Sequence, residues 1–532
     1  MDAESAERRA PRFRFGRTGS RYAAPMPPDS DSEPLAASSS PEPAPIAETR
    51  RIRLERGGAL VLEDAGFRLI ESRGLKRSPL HPYASITHVC LAARALLIGT
   101  THGLLAIRSG DFVDPEAGPV IARDRLLARI ASAPGGAEHL QGMVRLEALA
   151  AQNVRLWSTW AAVLLCVVGT GFQLRDALID QVGAFIPELF ARGELWRGVT
   201  AHFLHALPSE PGFVERLVPG LRGLPIHLAI NVGGLFVLGP LVERPLGAWR
   251  TTIVLLLGAI GTVAGILVAG HREVIGASGL VAALAGAILA LELHFPEALP
   301  CEWRLPRRLF LGAVIVQFAI VDPLFRSYIA GGAHLGGFAG GYAAAWWLGA
   351  PSLDQFAAPV RLRLAAMAGL VAAASASIGI VPLARHAPAA LERHAERLLD
   401  APAAVHLYPH ENAAAWFIAT EDEPSETGLE LAIALADRAV ATTERQHPGV
   451  LDTLAEALFQ SGDRLGAILT IDEAIQLVPW ERYFIEQRRR FTGERGANDR
   501  PPPPGSENAE PFPFFGGDDG APFDPDAPRL TI

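Results

Sequence analysis

Apolar residues along this chain fall into runs of two lengths. Between residues 58 and 143 the runs are short and separated by turn residues; between 157 and 383 they are long and nearly unbroken. The short runs are Ala59-Leu60-Val61-Leu62, Phe67-Arg68-Leu69-Ile70, Ile86-Thr87-His88-Val89, Ala95-Leu96-Leu97-Ile98 and Leu104-Leu105-Ala106-Ile107. They predict strands, with Thr101-His102-Gly103 as a hairpin turn and one helix following over 120–130. Crossing a bilayer takes about 20 apolar residues in a helix. Stretches of that kind at 157–173, 226–241, 249–269, 275–293, 309–325, 329–348 and 364–383 predict seven spanning helices, with a long mixed loop between the first two. Residues 387–494 return to a soluble, Ala/Leu-rich helical pattern.

At both ends the pattern disappears. Residues 1–56 are rich in Pro, Ser, Ala, Glu and Arg, and 495–532 in Pro, Gly and Asp; neither can bury a core, and both are expected to be disordered. The expected fold is an all-α polytopic membrane core at 154–350 with one extra span at 360–384. A small β-rich soluble domain at 57–143 precedes it, and an α-helical domain at 387–494 follows. The sheet with its one capping helix resembles the pleckstrin-homology-like class in pattern. In the C-terminal domain, Ala455, Gly462, Ala467, Ala474 and Pro479 stand at the small-residue and breaker positions of a tetratricopeptide (TPR) helix-turn-helix. Residues 429–448 resemble a degenerate partner, and 480–490 a capping helix.

Arginine placement orients the spans. Arg145 and Arg155, Arg244 and Arg250, Arg304, Arg307 and Arg308, and Arg361 and Arg363 fall in alternate loops, whereas the short loops between them carry only Arg272 and Arg326. By the positive-inside rule the N-terminus is expected to be cytoplasmic and the C-terminus extracytoplasmic in an inner (cell) membrane. The net charge of -9 arises in the soluble ends and forms no basic stripe, which argues against nucleic acid as a partner. Cys90, Cys166 and Cys301 lie far apart without ligand spacing, so neither a disulfide framework nor a metal or cofactor site is expected.

A polar group in hydrocarbon is costly unless it is paired or serves a cavity. His227 and Asn231, four apart, share a face of the second span; Ser278 opens the fourth and His334 the sixth. These three spans run in the same direction, so all three groups lie a few residues below the outer surface. Serine becomes a nucleophile when a neutral histidine takes its proton, and attack on a peptide carbonyl creates an oxyanion that needs fixed donors. Ser278, His334, His227 and Asn231 supply that set. Taken one at a time, each could instead be packing material or interhelical hydrogen-bonding glue.

Three segments, His227-Leu228-Ala229-Ile230-Asn231, Gly276-Ala277-Ser278-Gly279, and Ala333-His334-Leu335-Gly336-Gly337-Phe338-Ala339-Gly340-Gly341, resemble in order and spacing the three signatures of rhomboid intramembrane serine proteases. Trp196-Arg197 in the outer loop, and Gly239, Glu243 and Gly247 at the inner end of the second span, are similar to further hallmarks of that family. The resemblance covers about residues 157–349, and the added span and TPR-like tail resemble a bacterial subgroup. It implies Ser278 as nucleophile, His334 as base, and His227 with Asn231 on the oxyanion side. It also implies membrane-anchored protein substrates with one or several spans, contact with lipid, and a protein partner at the TPR-like region. Glu243 and Arg197 are expected to be structural, and neither Glu273 nor Asp322 receives a role in orienting His334. Residues 207–224 resemble an insertion in the outer loop. The rival reading is a rhomboid-like protein that binds membrane clients without cutting them, or a TPR scaffold; the presence of both Ser278 and His334 favours the enzyme.

Overall fold

The computed structural model describes residues 50–70, 78–176, 178–207, 225–326, 329–349 and 358–502. The stretches expected to be disordered at 1–49 and 503–532, and the insertion at 208–224, lie outside these residues.

The N-terminal alternation folds as two antiparallel sheets. Strands β1 (Arg51–Arg53), β2 (Ala59–Leu62), β3 (Gly66–Ile70) and β4 (His81–Pro82) form one; β5 (Ile86–Ala92), β6 (Ala95–Thr100) and β7 (Gly103–Arg108) form the other. The β6–β7 hairpin closes at Thr100 opposite Gly103, and the Thr100 hydroxyl donates to the Gly103 carbonyl at 2.9 Å. Leu60, Phe67, Ile86, Leu96, Ile98 and Phe112 fill the core beneath Leu126 and Ile130 of helix α1 (Ala117–Ser132). The sequence reading is corrected at three points. β1 belongs to this domain and not to a disordered arm. A second helix, α2 (Gly136–Ala150), continues past residue 143, where the domain was expected to end, and brings Met143 into the core. At the other end of the chain, Arg500 pairs with Glu456 at 2.9 Å, so the tail is still packed where disorder was expected to begin.

Four helices among the described residues are long and apolar enough to cross a membrane: α3 (Trp157–Arg175), then, after short outer-loop helices α4 (Leu178–Gly183), α5 (Pro187–Ala191) and α6 (Arg197–Thr200), α7 (Ile226–Leu246) and α8 (Ala248–Ala269), and finally the segment Val360–Ile380. Between α8 and that segment lie α9 (Ser278–His294), α10 (Arg307–Val316) and α11 (Gly331–Leu348); α12 (Val360–Ser377) forms most of the last span. A π-turn over Gln317–Val321 and a short turn of helix, Asp322–Leu324, continue α10. Trp160, Leu164, Phe236, Ile260, Leu309 and Val371 are exposed on these helices, as on a surface that faces hydrocarbon.

Glycine lets α8, α9 and α11 pack backbone to backbone. A Cβ on Gly261 would overlap the Gly336 carbonyl oxygen, and one on Gly336 would overlap that of Gly261. Gly265 stands in the same relation to Gly332, Gly337 to Gly279, and Gly341 to Ala283. In lipid, where apolar burial drives little association, such close contact is what holds helices together.

The soluble domains sit at opposite ends of this bundle. The β domain meets the loop after α9, where Arg304 donates to the Thr100 carbonyl at 3.0 Å and the Thr87 hydroxyl at 3.2 Å while pairing with Glu292 of α9 at 3.1 Å. The C-terminal helices are α13 (Pro388–Asp400), α14 (Tyr408–Ala419), α15 (Glu426–Thr442), α16 (Pro448–Gln460), α17 (Arg464–Leu477) and α18 (Arg482–Thr492). Leu391, Leu398, Leu407, Ile418 and Leu435 share one apolar cluster with Leu178, Val182, Ile186 and Trp196 of the outer loop.

Glu243 fastens α7 to α3. The first N–H groups of a helix lack intrahelical partners, and α3 has no capping side chain of its own. Glu243, fully buried, supplies one from the neighbouring helix: it accepts from Ser158 N at 2.8 Å, Thr159 N at 2.8 Å and the Thr159 hydroxyl at 2.7 Å. A Cβ on Gly239, one turn earlier, would collide with Thr159. The carboxylate thus serves a helix terminus. Glu243→Ala strands three buried donors and is expected to cost roughly 2–4 kcal/mol. Thermal unfolding in detergent measures this; an unchanged melting temperature would contradict it.

Candidate active site

Ser278 is the first residue of α9 and is half-buried. The turn before it is pinned on two sides. Gly276 N–H donates to the Ala201 carbonyl at 2.8 Å, and Val274 pairs with Phe185 of the outer loop through N–H···O bonds of 3.0 and 3.1 Å. Gly276 has φ +123°, a conformation that favours glycine, and a Cβ there would lie 2.6 Å from the His227 ring. The glycine is thus required twice, by the backbone and by the imidazole against it.

His227, in the first turn of α7, accepts the Ala206 N–H on Nδ1 at 3.2 Å. That bond puts the proton of the neutral ring on Nε2, which faces Gly276 and is buried without a hydrogen-bond partner among the described residues. One turn on, Asn231 donates to the His227 carbonyl at 3.0 Å, and its amide nitrogen lies 3.7 Å from the same Gly276 Cβ position. Two donors therefore converge on the turn that leads into Ser278. The first turn of α9 adds the positive end of a helix. His205 packs edge-on against His227, ring centroids 5.1 Å apart, and is held by Thr170 at 3.2 Å.

His334 lies in the first turn of α11 and is buried. Gly337, one turn later, touches the Gly279 backbone, which brings the His334 turn against that of Ser278. The ring lies within electrostatic reach of His227 and His271. Its Nδ1 meets Asp322 at 3.1 and 3.2 Å, and Gln317 in the π-turn donates to the same carboxylate at 2.7 Å. The sequence reading left Asp322 without a role because it falls in a short loop outside the motifs. The helical turn Asp322–Leu324 that follows the π-turn sets it against His334. With Nδ1–H donated to Asp322, the Nε2 lone pair of the neutral ring is the one available for a proton.

A cleft beside Ser278 is lined by Gly276, Ala333, Thr262, Phe185 and His202. His202 is not among the site residues expected from the sequence. Burial in the outer loop pushes its pKa down to about 4, so it is neutral at physiological pH. Arg197 also reaches this cleft, but its contacts are structural. It is fully buried, pairs with Glu194 at 2.6 Å and donates to the Gln181 and Ala184 carbonyls at 3.1 and 2.6 Å. Trp196 donates to the Val182 carbonyl at 2.8 Å. Glu194 in turn meets His394 of α13 at 2.7 Å, and Glu273, five residues before Ser278, meets His410 of α14 at 3.3 Å. The C-terminal helices are therefore tied to both segments that frame the cleft.

Comparison with known proteins bears on the same region. The family model described as the Rhomboid domain matches residues 222–351. The chain is also similar to "Rhomboid protease GluP" of Bacillus subtilis (strain 168), with 30% identity over 181 residues; the match covers 33% of this chain and 30% of that relative's length.

Burial raises the Glu194 pKa, but Arg197 and His394 outweigh it and hold the carboxyl at about 2. A carboxylate depressed in the folded state adds stability that is complete above its ordinary range near 4.5 and is lost only as pH falls toward 2. Arg197→Ala leaves this charge buried and is expected to cost about 3–5 kcal/mol near neutral pH. Arg197→Lys should not restore it, because an ammonium cannot reach the carboxylate and both carbonyls in one plane. Melting temperatures of the two variants in detergent test this, and wild-type stability in either would refute it.

Proposed function

We propose that this chain, whose residues 222–351 match the Rhomboid domain, is an intramembrane serine endopeptidase that cleaves membrane-anchored proteins near the outer membrane surface. The observation that carries the reading is the convergence of His227 Nε2 and the Asn231 amide on the Gly276 turn that introduces Ser278. The Ser278 hydroxyl attacks the scissile carbonyl as His334 Nε2 takes its proton. His227, Asn231 and the first N–H groups of α9 receive the charge that develops on the carbonyl oxygen. His334 then returns the proton to the leaving amine, and water releases the acyl group by the reverse path.

Asp322 is a positioning residue in this scheme, because it fixes the tautomer of His334 and does not touch substrate. Ser278→Ala and His334→Ala should each lower cleavage of a transmembrane reporter by at least about a thousandfold with insertion intact. Asp322→Asn can offer its own N–H to Nδ1 and so shift the ring proton to Nε2. It should lower kcat roughly ten- to a thousandfold while KM stays within about twofold. Cleavage by the Ser278→Ala protein at wild-type rate would refute Ser278 as the nucleophile, and a wild type that binds the reporter without cutting it would leave client binding as the function. Wild-type turnover in Asp322→Asn would leave the dyad acting without an acid.

The arginine asymmetry supports a cytoplasmic β domain, six rhomboid spans with a seventh after them, and C-terminal helices outside an inner membrane. α16 and α17 form a helical hairpin whose turn uses Gly462 at φ +93°, which supports a TPR-like surface for substrate or partner. A tag after Glu494 should be digested by protease added to intact cells; its protection would refute this orientation.

A further inference from the structure

At the end of α9 away from Ser278, three soft ligands meet. His88 and Cys90 lie two apart on β5 and so share one face of the strand; Cys301 comes from the loop after α9, 213 residues beyond His88. All three are buried, and their ligating atoms lie within 4.8 Å of one another. The sequence reading set these cysteines apart because only docking of the β domain on the loop brings them together.

His88 Nδ1 accepts the Cys301 N–H at 3.2 Å, so its lone pair already points at the Cys301 segment with the ring proton on Nε2. That nitrogen has no hydrogen-bond partner among the described residues. The Cys301 thiol lies 3.1 Å from the His88 carbonyl and 3.9 Å from that of Leu97. Opposite them, β6 carries Gly99; a Cβ there would sit 3.1 Å from Cys301 Sγ and 2.9 Å from the Thr87 hydroxyl, so a side chain would crowd the sulfur.

We propose that His88, Cys90 and Cys301 bind a thiophilic divalent cation, zinc in the first instance, which clamps the β domain to the base of the Ser278 helix. Two thiolates and an imidazole are a donor set that selects zinc over hard cations, with a water as fourth ligand. Bonds of about 2.0–2.3 Å in a tetrahedron place ligand atoms roughly 3.5–3.8 Å apart, so the side chains need only close slightly from their present spacing. Each thiol releases its proton to solvent as the metal–sulfur bond forms. The ion would act beside Arg304, which already joins Glu292 of α9 to Thr87 and Thr100 of the β domain.

The test uses full-length protein purified in detergent under reducing conditions. Elemental analysis should find about one zinc per chain in the wild type and in Cys166→Ser, and less than about a tenth of that in Cys90→Ser and Cys301→Ser. Because the latter variants can also disturb docking, cobalt(II) is added to metal-stripped wild type, where the absorption of a tetrahedral cobalt–thiolate centre is expected. Three results overturn the proposal: wild-type protein that takes up no zinc and gives no such absorption, zinc undiminished in the Cys90→Ser/Cys301→Ser double variant, or a Cys90–Cys301 disulfide in protein isolated from cells with thiols blocked at lysis.

Discussion

Four buried carboxylates act as the joints of this molecule. An ionised group far from water must be matched by donors or it expels its segment from the fold. Glu243 is matched by the start of α3, Glu292 by Arg304, Glu194 by Arg197 and His394, and Asp322 by Gln317 and His334. Glu243 and Glu194 join segments distant in sequence, Glu292 and Asp322 fix nearer ones, and each sits where packing alone would leave freedom: a helix start, a domain junction, the loop after α3, and the turn before α11. These pairs cost more to desolvate than apolar contacts would, and what they add is a single arrangement of the parts.

One consequence is the position of α9. Its first residue is Ser278, and its last turn carries Glu292, whose partner Arg304 is bonded to two strands of the β domain. Its flank is fixed to α11 by glycine contacts that exclude side chains. The turn leading into it is held by Ala201 and Phe185, in a loop whose own core is continuous with the C-terminal helices. Both soluble domains thus bear on one short helix from opposite ends. Removal of the C-terminal helices would expose Leu178, Val182 and Trp196, so a truncated chain would report on the outer loop as much as on any binding role of those helices.

Much of the candidate site was legible because polar residues in apolar runs have few innocent explanations. His227, Asn231, Ser278 and His334 stood out by depth and by direction of span before any geometry was available. Asp322 did not, because a carboxylate at a predicted loop looks solvated until the turn Asp322–Leu324 is seen to fold it back. Short-range pattern also fails for contacts made by docking: nothing in the spacing of Cys90 and Cys301 relates them. Glu243 was recognised as structural without its partner, since the face of a helix can be read from sequence but the terminus packed against it cannot.

The glycine contacts between α8 and α11 have a bearing on how such a sequence can drift. At an ordinary core contact a larger residue on one helix can be offset by a smaller one on the other, and the two positions change together. Gly261 and Gly336 each face the other's carbonyl oxygen, and no residue is smaller than glycine. A substitution at either has no compensating partner, so neither position can lead the other through sequence space. Contacts of this kind would leave no trace of paired change in a set of related chains. They would show only as columns that do not vary, and a method that finds neighbours by correlated substitution would be blind to contacts as close as these.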